Sequence, residues 1–224
     1  MPVDPNTQIE ITAFDWVPDF ARGLVRDLRP RWACEELGLD YRERLISARN
    51  RPEWYFAEQP WGQVPVLRDG EVHLFESGAI LLHLAEREGG LLPGSDQPRA
   101  DVLSWLFAAF NSVEPGFMEL ANVNIFSAGQ DWAEARKPGL MEQIGKKLDK
   151  LEEALGGREW LADEFSIADI AMITILRIPR DSPLIADRPA LSAYRARGEA
   201  RPAFQRALAD QLAAFSDQPP AKGE

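Results

Sequence analysis

Two short segments hold the residues whose types and spacing suit chemistry: Gly62-Gln63-Val64-Pro65-Val66-Leu67 and Glu76-Ser77-Gly78-Ala79-Ile80. The first reads as a buried strand that begins just after a proline, a residue with no N–H to give to a sheet and tolerated at a strand's start. If the Val64–Pro65 bond is cis, the chain turns sharply there and leaves the Val64 backbone N–H and C=O open to an extended peptide. A hairpin turn at Asp69-Gly70 returns the chain through Val72-His73-Leu74-Phe75. Glu76-Ser77 then opens a helix, where unpaired N–H groups and the helix dipole attract a carboxylate. A strand edge beside a helix N-terminus suits a small peptide with a free carboxylate.

The elements that must position these residues follow from periodicity and breakers. Residues 9–14 alternate as a first strand, and residues 28–37 form a helix with Pro30 in its first turn and Gly38 as its stop. Residues 41–46 form a second strand, 52–58 a short irregular helix, and 59–62 a turn that leads into the hairpin. A helix over 77–88 ends at Gly89-Gly90. This β-α-β-α-β-β-α order is the thioredoxin-like pattern, a small mixed sheet flanked by helices. The polar, turn-rich stretch 92–98 predicts a linker between a first domain at 1–91 and an all-helical second domain at 99–224.

In that second domain, residues 99–126 read as one long helix bent at Pro115-Gly116, and 132–155 as another, with Leu140, Ile144, Leu148, Leu151 and Leu155 along one face. Ser166-Ile167-Ala168-Asp169 is a capping box, with Phe165 and Ile170 as a hydrophobic staple, and its role is folding. Further helices fall at 190–198 and 202–215, and the tail from Ser216 reads as frayed.

Composition removes several function classes. A net charge of −11 disfavours nucleic acid and anionic membranes as partners. No apolar run approaches the ~20 residues of a membrane span, and the first residues resemble no secretory signal, so a cytoplasmic location is expected. The single cysteine, Cys34, excludes an intrachain disulfide and dithiol chemistry, and its helical surroundings suit an inert core thiol. His73 and His83 lack the neighbours a zinc site needs, so no metal is expected.

The Val64-Pro65 and Glu76-Ser77-Gly78-Ala79-Ile80 motifs, set in this element order, resemble the glutathione-binding half of the cytosolic glutathione S-transferases, and the likeness extends over nearly the whole chain. It implies a bacterial, dimeric transferase that uses glutathione as co-substrate, holds its thiolate, and adds it to a hydrophobic or anionic electrophile held against the helical domain. It further implies that Val64, after which Pro65 sets the turn, pairs its backbone with the cysteinyl unit. Ser77 takes the γ-glutamyl carboxylate, Glu76 the γ-glutamyl ammonium, and Gln63 the glycyl end. The alternative for Ser77 is a plain helix cap, and for Glu76 a favourable charge at a helix start, with ligand contact the favoured reading for both. Phe20, Phe110, Phe117 and Met118 are candidates for an apolar wall, with Asn111 and Glu114 as polar residues near it, although apolar residues at helical spacing commonly belong to the core.

One departure concerns the thiol. Relatives stabilise the thiolate with a Tyr, Ser or Cys side chain between the first strand and first helix, whereas Ala13 to Asp40 contains no Ser, Thr or Tyr and the segment from Asp15 to Asp27 is long. Counting forward from the strand puts Trp16 at the catalytic position, and counting back from Pro30 puts Arg26 there. The available donors are the Arg26 or Arg22 guanidinium, the Trp16 indole and backbone N–H groups. An arginine gives the strongest stabilisation because it is always charged. Arg26 either holds the thiolate or pairs with Asp27 or Asp19 in a structural role. Glutathione-dependent isomerisation or dehalogenation, and a non-catalytic binding protein on the same scaffold, are the other readings.

Overall fold

A computed structural model describes residues 3–180 and 182–220, so the ends of both expected domains lie outside the described residues. The chain order begins β1 (Ile9–Phe14), α1 (Leu28–Leu37), β2 (Arg42–Ile46), β3 (Val66–Asp69), β4 (Val72–Phe75) and α2 (Ser77–Glu88). The helices α3 (Asp96–Ala108), α4 (Glu114–Ala121), α5 (Asp131–Leu155), α6 (Ile167–Leu176), α7 (Pro183–Ala186), α8 (Pro189–Glu199) and α9 (Pro202–Ala213) follow. Two compact units result. One holds the chain up to Leu91 together with the stretch from Ala200 onward, and the other holds Leu92–Glu199.

The first unit is built on a four-stranded sheet of order β2-β1-β3-β4, with β1 parallel to β2 and antiparallel to β3, and β3 antiparallel to β4. Alternation sends Ile9, Ile11, Ala13 and Leu67 to one face, where they are buried with Ile80, Leu81 and Leu84 of α2 and Leu28 and Trp32 of α1. The same register sets Glu10 opposite Arg42 and Arg68, and Thr12 opposite Arg44, on the other face. Arg42 pairs with Glu10 at 3.1 Å, Arg44 Nε donates to Thr12 Oγ1 at 3.0 Å, and Glu58 clamps both Arg44 and Arg68. One face is therefore apolar and covered by helices, while the other is held by crossed ion pairs.

Helix α9 belongs to this first unit. Phe204 packs edge-on against Trp32 of α1 at 4.8 Å, Arg201 grips Glu36 through two bonds at 2.6 and 2.7 Å, and Arg206 meets Glu35 at 2.6 Å. The division thus differs from a helical domain running 99–224, because α1 offers α9 an apolar ring and two carboxylates that periodicity alone cannot assign. The expected fraying from Ser216 is also corrected at its start. Phe215 is buried, and Ser216 N–H donates to the Asp15 carbonyl at 2.8 Å.

In the second unit, the expected long helix contains two π-helical turns, Ala109–Val113 and Asn122–Phe126. The first has a clear cause. Pro115 has no N–H for the Asn111 carbonyl and its ring crowds that group, so the helix widens and Glu114 N–H reaches back to Ala109 O instead. Gly116 lets α4 approach α5 closely, since a Cβ there would meet Ile144 Cγ1 at 2.9 Å. Helix α6 is buried along its whole length. Its capping box is formed: Asp169 accepts from Ser166 N–H at 2.9 Å, and also from Leu161 N–H at 3.0 Å and the Tyr194 hydroxyl at 2.7 Å. Asp169→Ala leaves these donors unpaired in the core, so thermal unfolding should show a loss of about 3 kcal/mol, or roughly 10 °C in Tm.

Candidate functional site

The Val64–Pro65 bond is cis, and β3 begins at Val66. Val64 is buried by its side chain and lies outside the paired registers of the sheet. It belongs to a small apolar cluster with Ile46, Tyr55 and Val66, against which Phe14 and Val25 pack. The Tyr55 hydroxyl donates to the Gln63 carbonyl at 2.6 Å, which fixes the backbone just before Val64. Gly62 is required here: its φ is +63°, and a Cβ would meet the Phe56 ring at 2.6 Å. Gln63 itself points its side chain outward.

The hairpin ends in an unusual backbone conformation. Glu76 has φ 70° and ψ 116°, a region that non-glycine residues rarely adopt. Outliers of this kind cost about 1–3 kcal/mol and cluster where a ligand is gripped. The turn exposes the Glu76 side chain and buries Ser77 at the first position of α2. Ser77 Oγ does not cap its own helix; it accepts a hydrogen bond from Arg29 Nη1 at 3.0 Å.

Arg29, on the first turn of α1, is a functional candidate that sequence reasoning missed. It is buried, and its guanidinium reaches the start of α2, so a hydroxyl, a cation and a helix N-terminus converge. In sequence it sits in Arg29-Pro30-Arg31, which reads as an ordinary charged helical turn. The available signal was the pair of arginines straddling Pro30, beside Trp32 and Cys34, on a face that must be buried.

The three thiol-end candidates occupy different surroundings. Trp16 is half-buried with Arg49 stacked on its ring at 4.7 Å. Arg22 lies over the Phe215 ring at 5.4 Å, so its guanidinium is committed to the C-terminal tail. Arg26, half-buried, lies in the turn immediately before α1, next to Val25, whose side chain packs on the Val64 cluster. Asp27, one of its two expected structural partners, is instead ion-paired with Arg31 at 2.8 Å. Arg51 over Phe14 at 5.3 Å adds another cation beside β1.

Other candidates resolve differently. In the second unit, Phe117 and Glu114 are buried, Phe110 is half-buried, and Met118 and Asn111 are exposed; Phe20, of the first unit, is also exposed. His83 bonds Asp69 at 2.9 Å on the helical side of the hairpin, a structural contact. Among the described residues there is no cluster of His, Cys, Asp and Glu that could hold a metal ion. No described helix is long and apolar enough to cross a membrane. The second unit also carries a depression of about 460 Å³ lined by Trp105, Arg158 and Glu164, and none of the site residues lines it.

Two family models match the chain. A family model described as the glutathione S-transferase N-terminal domain matches residues 20–86, and one described as the C-terminal domain matches residues 121–202. Glutathione S-transferase 3 of Zea mays is 32% identical over 199 residues, covering 81% of this chain and 88% of the relative. Glutathione S-transferase P of Bos taurus is 30% identical over 66% of this chain and 70% of its own. Among solved structures, a glutathione transferase of Pseudomonas putida with one glutathione disulfide bound per subunit aligns with TM-score 0.79 and 26% identity, over 92% of this chain and 93% of its own. One of Burkholderia graminis with two glutathione molecules bound per subunit aligns at 0.78 and 26%, over 90% and 87%.

Cys34 is fully buried and burial pushes its thiol far above the ordinary range, so it takes no part in thiol chemistry. An aromatic disulfide reagent should leave it unmodified in the folded protein and react with one thiol per chain after denaturation. Rapid labelling of the native protein would contradict this placement.

Proposed function

The chain belongs to the glutathione S-transferase family, and we propose that it binds glutathione, lowers the pKa of its thiol, and adds the thiolate to a hydrophobic or anionic electrophile. The observation that carries this reading is the Arg29–Ser77 pair at the start of α2, beside a Val64 backbone left outside the sheet pairing. In this reading the γ-glutamyl carboxylate accepts from Ser77, the first N–H groups of α2 and Arg29, while exposed Glu76 meets the ammonium. Val64 pairs with the cysteinyl amide and carbonyl, Pro65 holds that edge in place, and Gln63 approaches the glycyl end.

The thiol end carries the chemistry. A free thiol titrates near ~8.5, and lowering that by about two units takes roughly 2.7 kcal/mol of preferential thiolate binding. Charge-assisted hydrogen bonds are worth about 1.5–3 kcal/mol each, so one guanidinium with help from backbone N–H groups covers the requirement. We assign that part to Arg26. Trp16 forms a neighbouring wall, and Arg22, held over Phe215, has a lesser share. The thiolate sulfur then forms a bond to the electrophilic carbon, with departure of a leaving group or protonation of an addition product.

The cations around the site favour a related second reading. Arg26, Arg49 and Arg51 in a strongly acidic chain suit an anionic second substrate, as glutathione-dependent isomerisation or dehalogenation requires. A binding protein without chemistry is the weaker alternative, because a scaffold has no need of a buried Arg29 beside Ser77. We also place the protein in the cytoplasm as a homodimer. Exposed Trp54, Phe56 and Trp61, close together in the chain, offer an apolar surface for a second copy. Sedimentation should give twice the chain mass, and Trp61→Glu should lower it.

Calorimetry of glutathione binding across pH tests the main reading. Affinity should rise with pH, with a midpoint well below ~8.5, because the site selects the thiolate. Ser77→Ala should weaken binding about tenfold, and Arg26→Ala should move the midpoint back toward the free thiol. Binding with no pH dependence would sink the transferase mechanism, and absence of binding at millimolar ligand would leave the scaffold reading.

A further inference from the structure

Residues 15–27, which carry Trp16, Arg22 and Arg26, contain only one short helical turn, Asp19–Ala21. Such a segment is fixed by what touches it, and much of that comes from the C-terminal end of the chain. Asp15 N–H bonds the Ile46 carbonyl at 3.0 Å, and the Asp15 carbonyl accepts from Ser216 N–H at 2.8 Å. Arg22 lies over Phe215. At the far end, the side-chain amide of Gln211, on α9, donates to the Val25 carbonyl at 3.0 Å and to Asp27 Oδ1 at 2.8 Å.

Gln211 is an odd choice for that place if its role is only to fill space. It is fully buried, and its Oε1 has no hydrogen-bond partner among the described residues. A buried carbonyl left unpaired costs about 1–3 kcal/mol, which an apolar side chain of the same length avoids. Both groups it faces are oxygen acceptors, so only its NH2 end can point at them. The amide therefore spends stability to hold the two residues that flank Arg26.

Those flanking residues are tied to the rest of the site as well. Val25 packs on the cluster containing Val64, and Asp27 is ion-paired with Arg31. The guanidinium of Arg31 continues to Glu43, and Tyr41 donates to Asp210 on α9 at 3.3 Å. We propose that Gln211 is a positioning residue for the thiol end of the glutathione site, holding the Val25–Asp27 turn so that Arg26 stands at a set distance from Val64. The proposal rests on Arg26 meeting the thiolate. In proteins generally, a misplacement of about 1 Å at such a distance costs up to about 100-fold in rate.

The test uses full-length parent, Gln211→Met, Phe215→Leu and Arg26→Ala proteins. Ultraviolet absorbance of the bound thiolate gives the thiol midpoint, and calorimetry gives affinity for S-methylglutathione, which has no thiol to ionise. Gln211→Met should raise the midpoint, leaving about tenfold less thiolate at a given pH below it. S-methylglutathione affinity should stay within about twofold, because Ser77, Arg29 and Val64 are untouched. Phe215→Leu should act in the same direction by about threefold. A folded Gln211→Met protein with an unchanged midpoint, or with an equal loss of S-methylglutathione affinity, overturns the proposal. If Gln211→Met does not fold, judged by circular dichroism, Phe215→Leu decides, and an unchanged midpoint overturns it. An effect of Gln211→Met without any effect of Arg26→Ala removes Arg26 as the thiolate partner and overturns the proposal with it, whereas an effect of Arg26→Ala alone overturns only the role of Gln211.

Discussion

The first unit is organised around a carboxylate that should be costly to bury. Asp27 is almost wholly inaccessible at the start of α1, where burial pushes its carboxyl up while the Arg31 guanidinium and the Gln211 amide pull it back. Burial works against the charge of Arg31 too, and the facing Asp27, Tyr41 and Glu43 more than offset that, so the guanidinium stays charged. A buried pair of this kind adds little net stability over apolar residues, but removing one partner strands the other. Its value is geometric. It requires α1 to start at one place, brings α9 against it through Gln211 and Tyr41–Asp210, and thereby sets where the preceding loop must run.

Placement of α1 determines where Arg29 meets the start of α2. Arg29 lies two residues from both Asp27 and Arg31, and only a fixed first turn aims it at Ser77 rather than at solvent. The positive φ of Glu76 then directs the Ser77 side chain inward and its own carboxylate outward in consecutive residues. The buried Arg29–Ser77 pair and the exposed Glu76 carboxylate are thus separated by backbone geometry. The acidity of the whole chain makes the local arginines more telling, since the second sheet face already uses Arg42, Arg44 and Arg68 against Glu10 and Glu58.

The second unit follows a plainer logic. Its central helix is apolar on every side, so its polar end needs internal partners, and Asp169 satisfies Ser166, Leu161 and Tyr194 together. Around it, small residues set the spacing: Gly116 faces Ile144, and at Gly198 a Cβ would meet Ile173. The same glycine–proline pair that suggested a bend in the sequence produces a π-helical turn just ahead of it, because the missing Pro115 N–H is absorbed by widening the helix.

Local chemistry made much of this legible in the sequence. Pro65 before a valine strand, Asp69-Gly70 between two strands, Gly38 and Gly89 as left-handed helix stops, and Ser166 with Asp169 each act through neighbours within a few residues, so a linear reading finds them. Other features depend on partners far along the chain. Arg29 and Ser77 are 48 positions apart, Asp27 and Gln211 184, and Arg201 and Glu36 165. No periodicity links them, and an arginine in a helical pattern looks the same whether it meets water or a buried hydroxyl. By itself the sequence determined the elements, the strand start after Pro65 and the helix start at Ser77, because those are properties of short backbone segments. Tertiary structure alone decided which cation meets Ser77, which unit claims the last helix and what holds the loop bearing Arg26, because these arise only when α1, α2 and α9 exclude water from a common space.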